Sequence, residues 1–425
     1  MLKIGFSFRS ITPKEPVWLG GYAARNKKSR GIHDDIYAKA FYAGDGNTDI
    51  VLVSCDMLYL TQENIVRIRQ KVFARYGIRN MTIGATHDHS SPEIRTYDEK
   101  IDMAANRDWL EHVEDTICEI TGEAVEKAEP MRLYAGFLPA PGVAKNRRAG
   151  ETSVDDTLMA IRAEDVHGRT KGIIVNYSCH CTVLDSNNYF ISADYPGYIY
   201  RKLNEKYSQA AVLFFNGACG NINIGYSADA SALGEDMGDV RTFENAERKA
   251  DILLNKIEQI LALATELKPQ LVYRTVHLDF PLKDNLPSAE TLEKRLADLS
   301  VGKGGNQSCK TEPEVQKIYY SCLLNNVRAY RTEGSASVRG ESALIGLGDV
   351  LLITMPVELF CEIGLKLKEI FGDRWRTAIL GYTNGFFGYL PTKAAHLAGG
   401  YECETSIHSV DSEDYLISVM KKSGL

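Results

Sequence analysis

The sequence predicts an α/β protein, with buried strands covered by helices in one large domain spanning residues 1–425. Two observations carry this expectation. Short, uncharged apolar runs of the kind that form buried strands recur along the chain, each pair separated by a helix-like stretch. In each of three such units, polar residues able to do chemistry come directly after a strand. Open α/β sheets bind ligands in the crevice beyond the carboxyl ends of their strands. Residues far apart in sequence are therefore expected to meet at one rim.

The first unit is the run Asp49-Ile-Val-Leu-Val-Ser-Cys-Asp56, a helix from about Thr61 to Tyr76, and the run Asn80-Met-Thr-Ile-Gly-Ala-Thr86, which enters His87-Asp-His89. The second is Gly172-Ile-Ile-Val-Asn-Tyr177, which reaches His180, then a helix from about Pro196 to Tyr207. Its proline falls in the first turn, where the missing N–H does no harm. The strand Ala211-Val-Leu-Phe-Phe215 follows and enters Asn216-Gly-Ala-Cys-Gly-Asn-Ile-Asn223. The third is Val350-Leu-Leu-Ile-Thr354, then Glu358 and a helix to about Phe371. It ends with Thr377-Ala-Ile-Leu-Gly381, entering Asn384-Gly-Phe-Phe-Gly-Tyr389.

Between the units, residues Asp108 to about Ala128 and Glu244 to about Leu267 read as amphipathic helices. Leu271 to Phe280 alternates as a half-exposed strand does, and Ser300 to Thr311, with three glycines, reads as a surface loop joining two helices. An apolar fraction of 44% and a charged fraction of 25% allow an ordinary large core. The 56 acids and 49 bases are dispersed and leave a formal charge of −7, with no basic stripe, so a nucleic-acid partner is not expected. No apolar run is long enough for a membrane span. Arg9 interrupts the N-terminal apolar stretch, so no export signal is expected. The nine cysteines form no disulfide pattern, and a cytoplasmic protein is the expectation.

Thr86-His87-Asp88-His89-Ser90 is the most informative stretch. In an extended segment residues i and i+2 face the same way, so the two imidazoles can enter one cleft as metal ligand and proton carrier. His180 lies between Cys179 and Cys181. Those two thiols would share the face opposite His180, and they read as buried reduced cysteines rather than a zinc site. On residue type alone, Glu358 complements the positive end of a helix dipole, and Tyr389 and Tyr401 are packing residues. The residues by themselves thus support two histidines from different units, a nearby carboxylate and no fourth ligand.

In order along the chain stand Thr-His-x-His-Ser, the later His180 with Ile191-Ser-Ala-Asp-Tyr-Pro-Gly197, Gly217-Ala-Cys-Gly-Asn221, Met355-Pro-Val-Glu358, Asn384-Gly-Phe-Phe-Gly-Tyr389 and Gly400-Tyr-Glu402. This series resembles the catalytic domain of the neutral/alkaline, non-lysosomal ceramidases. The resemblance implies that the three units converge on one zinc ion held by His87, His180, Glu358 and Tyr389. It further implies that His89 handles protons beside the metal, that Tyr401 stabilises the developing oxyanion, and that Arg147, in Asn146-Arg147, meets the acyl part of the substrate.

Two departures shape the expected function. Asn223 stands where the family carries a serine needed for ceramide cleavage, and the chain stops shortly after Tyr401, where an immunoglobulin-like domain would follow. The expected activity is zinc-dependent hydrolysis of an amide bond in a small soluble molecule. Ester or glycoside hydrolysis, a lyase reaction, and a non-catalytic binding role are the alternatives.

Overall fold

The computed structural model describes residues 1–96, 101–208, 210–232, 240–301, 312–332 and 334–425. The predicted loop from Ser300 to Thr311 falls almost wholly outside them. All three predicted units are present, and in each the two strands pair in parallel. Asp49–Cys55 lies beside Met81–Ala85, Thr170–Tyr177 beside Ala211–Asn216, and Val350–Thr354 beside Arg376–Leu380. The crossover helices are Gln62–Tyr76, Asp194–Lys206 and Cys361–Phe371. Thr61 starts the first of these through a reciprocal cap with Asn64, and Gly77 ends it in the left-handed conformation that glycine tolerates best.

The units do not share one parallel sheet. The larger sheet runs Ala211–Asn216, Thr170–Tyr177, Thr157–Asp165, Glu129–Pro139, Leu2–Ser10, Tyr37–Gly44, Asp49–Cys55, Met81–Ala85, with Thr265–Glu266 added to Glu129–Pro139. Its interior pairs are antiparallel, so the first two units sit at its two ends. The third unit belongs to a second sheet in the order Leu271–Pro281, Ser337–Leu347, Val350–Thr354, Arg376–Leu380.

The alternation of side chains explains how these strands are buried on both faces. Val51, Val53, Val212 and Phe214 pack in a core with residues of the helices outside the larger sheet. Their neighbours Ile50, Leu52, Leu213 and Phe215 pack with Val350, Leu352 and Leu380 in a core between the two sheets. Leu351 and Ile353 face a third core with Leu367 and Leu416, from helices Cys361–Phe371 and Ser412–Lys421. The architecture is helices, sheet, sheet, helices. Helices cover the strands as the sequence predicts, on the outer face of each sheet, and the inner face of each sheet is covered by the other sheet.

Buried amides join the strand ends of the three units. Asn216 Nδ2 donates to the Thr86 carbonyl at 2.8 Å, and Asn176 Nδ2 donates to Phe215 and Ile379 carbonyls at 3.0 and 2.8 Å. The Gly381 N–H reaches Asn216 O at 2.9 Å and the Asn384 N–H reaches Ile83 O at 2.8 Å. Unpaired amides at this depth would cost on the order of 1–3 kcal/mol each, so these bonds hold the rim in one arrangement. No helix among the described residues is long and apolar enough to cross a membrane.

Candidate metal centre

His87 follows the end of Met81–Ala85 by two residues, and its backbone is left-handed, with φ 59°. The HxH segment is therefore not extended, as its alternation had suggested. The chain turns at His87, and the two imidazoles meet with their Nε2 atoms 3.2 Å apart. Such a φ is uncommon for any residue with a Cβ, and residues in the left-handed region cluster at functional sites.

His180 arrives from the second unit and Glu358 from the third. Glu358 Oε2 lies 3.3 Å from His87 Nε2 and 3.2 Å from His180 Nε2. Glu358 is not at the helix N-terminus. It sits in a two-residue strand, Glu358–Leu359, paired with Tyr389–Leu390 and three residues before the helix begins, so its carboxylate faces the histidines and not the helix dipole. The Nδ1–H of His87 donates to Leu58 O at 2.8 Å and that of His180 to Ile222 O at 2.9 Å. Each bond fixes the tautomer that leaves Nε2 as a lone-pair donor, the usual support for a metal-ligating histidine.

The charge states match a cation site. Burial depresses His180 to about 4, and the nearby Arg147 pushes the same way. Burial, with His87 and His180 beside it, also holds His89 well below the ordinary histidine range. Burial opposes ionisation of Glu358, but the two imidazoles outweigh it and hold the carboxyl at about 2. Neutral imidazoles and an ionised carboxylate are the forms that bind metal. One ring nitrogen from each of His87, His89 and His180 lies within 4.8 Å of the other two, close enough for one ion. Glu358 Oε2 is as near to His87 Nε2 as His89 Nε2 is, at 3.3 against 3.2 Å. The donors fit a single divalent cation with either one completing the set.

Tyr389 and Tyr401 stand side by side, ring centroids 5.9 Å apart, and both line the cleft above the histidines. Arg147 is buried beneath them. Its Nε donates to Glu402 Oε1 at 2.7 Å, and its Nη2 to Gly220 O at 2.8 Å and Tyr389 Oη at 3.0 Å. Asn223 does not line the cleft. Its Oδ1 accepts the N–H groups of Gly225 and Tyr226, and its Nδ2 donates to Tyr226 O, so the amide is used within its own turn. Cys179 and Cys181 are free and buried, as expected for packing residues.

Tyr382 was not singled out by sequence. It lies flat on His87 and its Oη is 3.5 Å from Glu358 Oε2. A positional signal existed, because Tyr382 follows its strand by two residues as His87 does, and it shares the left-handed backbone with φ 55°. Glu402, the partner of Arg147, had no comparable signal. At Gly21 (φ 86°), an added Cβ would fall 2.3 Å from His89 Nδ1, so this wall of the cleft admits only glycine.

Fold and site together define an α/β protein with a buried cluster of histidines and a carboxylate, able to hold a metal ion, at converging strand ends. Residues 3–225, just over half the chain, match the model of the N-terminal part of the neutral/alkaline non-lysosomal ceramidases, and the chain belongs to that family. It is 27% identical over 220 residues to neutral ceramidase B of Dictyostelium discoideum, covering 46% of this chain and 30% of that protein. To the neutral ceramidase of Pseudomonas aeruginosa it is 24% identical over 203 residues, covering 43% and 30%. The matched stretch thus spans about a third of these relatives. The crystal structure of the Pseudomonas aeruginosa enzyme superposes over 99% of this chain and 74% of its own, with a TM-score of 0.78 at 18% identity. His87, His89, Arg147 and His180 fall in the part matched by the family model; Glu358, Tyr389 and Tyr401 lie beyond it.

Proposed function

We propose that this chain is a zinc-dependent hydrolase that cleaves the amide bond of a small N-acyl molecule. The observation that carries this reading is the meeting of Glu358 Oε2 with the Nε2 atoms of His87 and His180, at 3.3 and 3.2 Å, at the ends of three units. Membership of a family whose relatives are named neutral ceramidases supports the amide class. Zinc suits a set of nitrogen and oxygen donors, and we assign it to His87, His180, Glu358 and Tyr389. When bound, such an ion lowers the pKa of water to about 7 and polarises a carbonyl.

The remaining groups act on the substrate. His89 lines the cleft beside His87, and burial favours its neutral form, so in this reading it accepts a proton from the attacking water and returns it to the leaving nitrogen. Tyr401 offers its phenol to the oxygen that gains charge. Arg147 holds the Tyr389 phenol and thereby fixes that ligand; any contact with an acyl group would add to this.

Elemental analysis of protein purified without chelator should give about one zinc per chain. Release of amine from N-acyl substrates should exceed turnover of matched esters and glycosides. A metal-free protein inactive on the whole panel would point to a binding role instead. Long-chain ceramide in detergent should be a poor substrate, since the cleft is only about 270 Å³. That is below the roughly 300–1,000 Å³ of sites that bury drug-sized ligands.

A further inference from the structure

Glu93 lines the same cleft and has no part in the chemistry above. Its hydrogen bonds are one-sided. Tyr59 Oη and the N–H groups of Ile94 and Arg95 all donate to Oε1, at 3.0, 2.9 and 3.2 Å. Among the described residues nothing donates to Oε2. Two consecutive glycines locate that oxygen. A Cβ on Gly20 would lie 3.2 Å from Glu93 Oε2, and one on Gly21 would lie 2.3 Å from His89 Nδ1. That carboxylate oxygen and the proton-handling imidazole thus lie against two consecutive residues of one short turn, and both His89 and Glu93 line the cleft.

An acceptor of this kind selects by what it would lose. An alkyl group placed against it strips its water and offers no donor, which costs free energy, whereas a hydroxyl replaces the lost bond. Sites built to bond a hydroxyl reject analogues lacking it far more strongly than apolar pockets reject an added one. The rest of the cleft agrees. Tyr59 and Phe386 stack at 4.7 Å and 22° to make a flat apolar wall for the face of a ring, and Asn325 and Asn326 add side-chain amides. Beyond Arg95 and Tyr330 the surface continues into a second hollow of about 450 Å³ with Gln62, Ser335, Ser337 and Arg339 on its walls, a poor channel for an aliphatic chain.

We propose that the cleft takes N-acyl amines whose amine part is a compact polyhydroxylated ring, an amino sugar in size and chemistry, with Glu93 Oε2 accepting one of its hydroxyls. This rests on the amide-hydrolase reading of the same site. The test compares N-acetylglucosamine with N-acetylcyclohexylamine, a ring of equal size without hydroxyls, on zinc-loaded full chain and on Glu93→Gln. Glutamine keeps an acceptor for the three donors now on Oε1 and replaces Oε2 by an NH₂ group. Wild-type protein should favour the sugar in kcat/KM, and Glu93→Gln should reduce that preference about 10- to 100-fold, mainly through KM, with zinc content and melting temperature retained. Equal handling of the two probes by wild type, or equal effects of the variant on both, overturns the proposal and leaves the hydrolase reading standing. If neither amide is cleaved, the hydrolase reading fails and calorimetric binding decides the subsite. Sugar binding weakened by Glu93→Gln supports it, and no saturable binding of the sugar overturns it.

Discussion

Tyr382 lies parallel to the His87 imidazole, with ring centroids 4.0 Å apart and planes 17° from parallel, and its hydroxyl approaches Glu358. One phenol from the third unit thus braces candidate ligands from the first and the third. Its hydroxyl also lies 3.3 Å from Cys219 Sγ, in the loop that follows the second unit.

Removing this brace should loosen the metal without touching a ligand. Tyr382→Ala is expected to lower zinc affinity by about 10- to 100-fold, the usual cost of losing a group that orients a ligand. Tyr382→Phe, which keeps the stacked ring, should lose much less. Competition with a chromogenic chelator measures both, and wild-type affinity in the alanine variant would refute the brace.

Within the HxH pair, His87→Ala should lose both metal and activity. His89→Ala should keep the metal and the fold while turnover falls about 100- to 10,000-fold, the worth of a positioned acid or base. Zinc content, melting temperature and rate on both variants separate the roles. A fully active, zinc-replete His89→Ala protein would remove His89 from the mechanism. Loss of zinc in that variant would make it a ligand, the arrangement in which the three imidazoles share one ion.

The buried pair of Arg147 and Glu402 should be costly to break from one side. Arg147→Met leaves the carboxylate with Arg148 alone, at 2.9 Å, and removes the donor to Tyr389. A loss of about 3 kcal/mol in urea denaturation is expected, near the lower end for an uncompensated buried charge. Pairing the change with Glu402→Gln should recover part of it. A cost below about 1 kcal/mol would mean that Arg148 alone satisfies Glu402.

Acid should destabilise the metal-free protein through its buried histidines. Burial holds His408 at about 4, well under the ordinary value; its Nε2–H donates to Phe387 O at 3.0 Å and its Nδ1 has no partner among the described residues. Between about 6.5 and 4 the unfolded chain binds a proton there that the folded chain does not, so stability falls as pH falls through this window. The contribution at stake is on the order of 3 kcal/mol. Urea midpoints at pH 7 and 4.5, in chelator, should diverge, and His408→Gln should narrow the gap. An unchanged gap would assign the acid sensitivity to other groups such as His180.

What the sequence disclosed depended on whether an interaction leaves a local trace. The three units were legible because a buried strand needs a continuous apolar run and its crossover needs a helix of matching length. The packing of one sheet on the other was not, because a strand such as Asp49–Cys55 reads the same whether helices or a sheet cover its second face. His87 and His180 could be found by residue type and position. Glu358 looked like a helix-dipole carboxylate until its neighbours were known, and Tyr389 needed the family motif. Glu402 is 255 residues from Arg147, and nothing around either residue announces the other.

The convergence of units from widely separated stretches also sets an order of events during synthesis. When the first two units have emerged, only His87 and His180 of the proposed ligands exist, an incomplete set that holds a metal poorly. Glu358 and Tyr389 arrive more than 170 residues after His180, with the second sheet on which they depend. Such long-range closure is slow. With the proposed ligand set, metal capture would have to wait for the third unit to dock, and intermediates stalled before that step would expose the inner face of the larger sheet to aggregation rather than hold a half-filled centre.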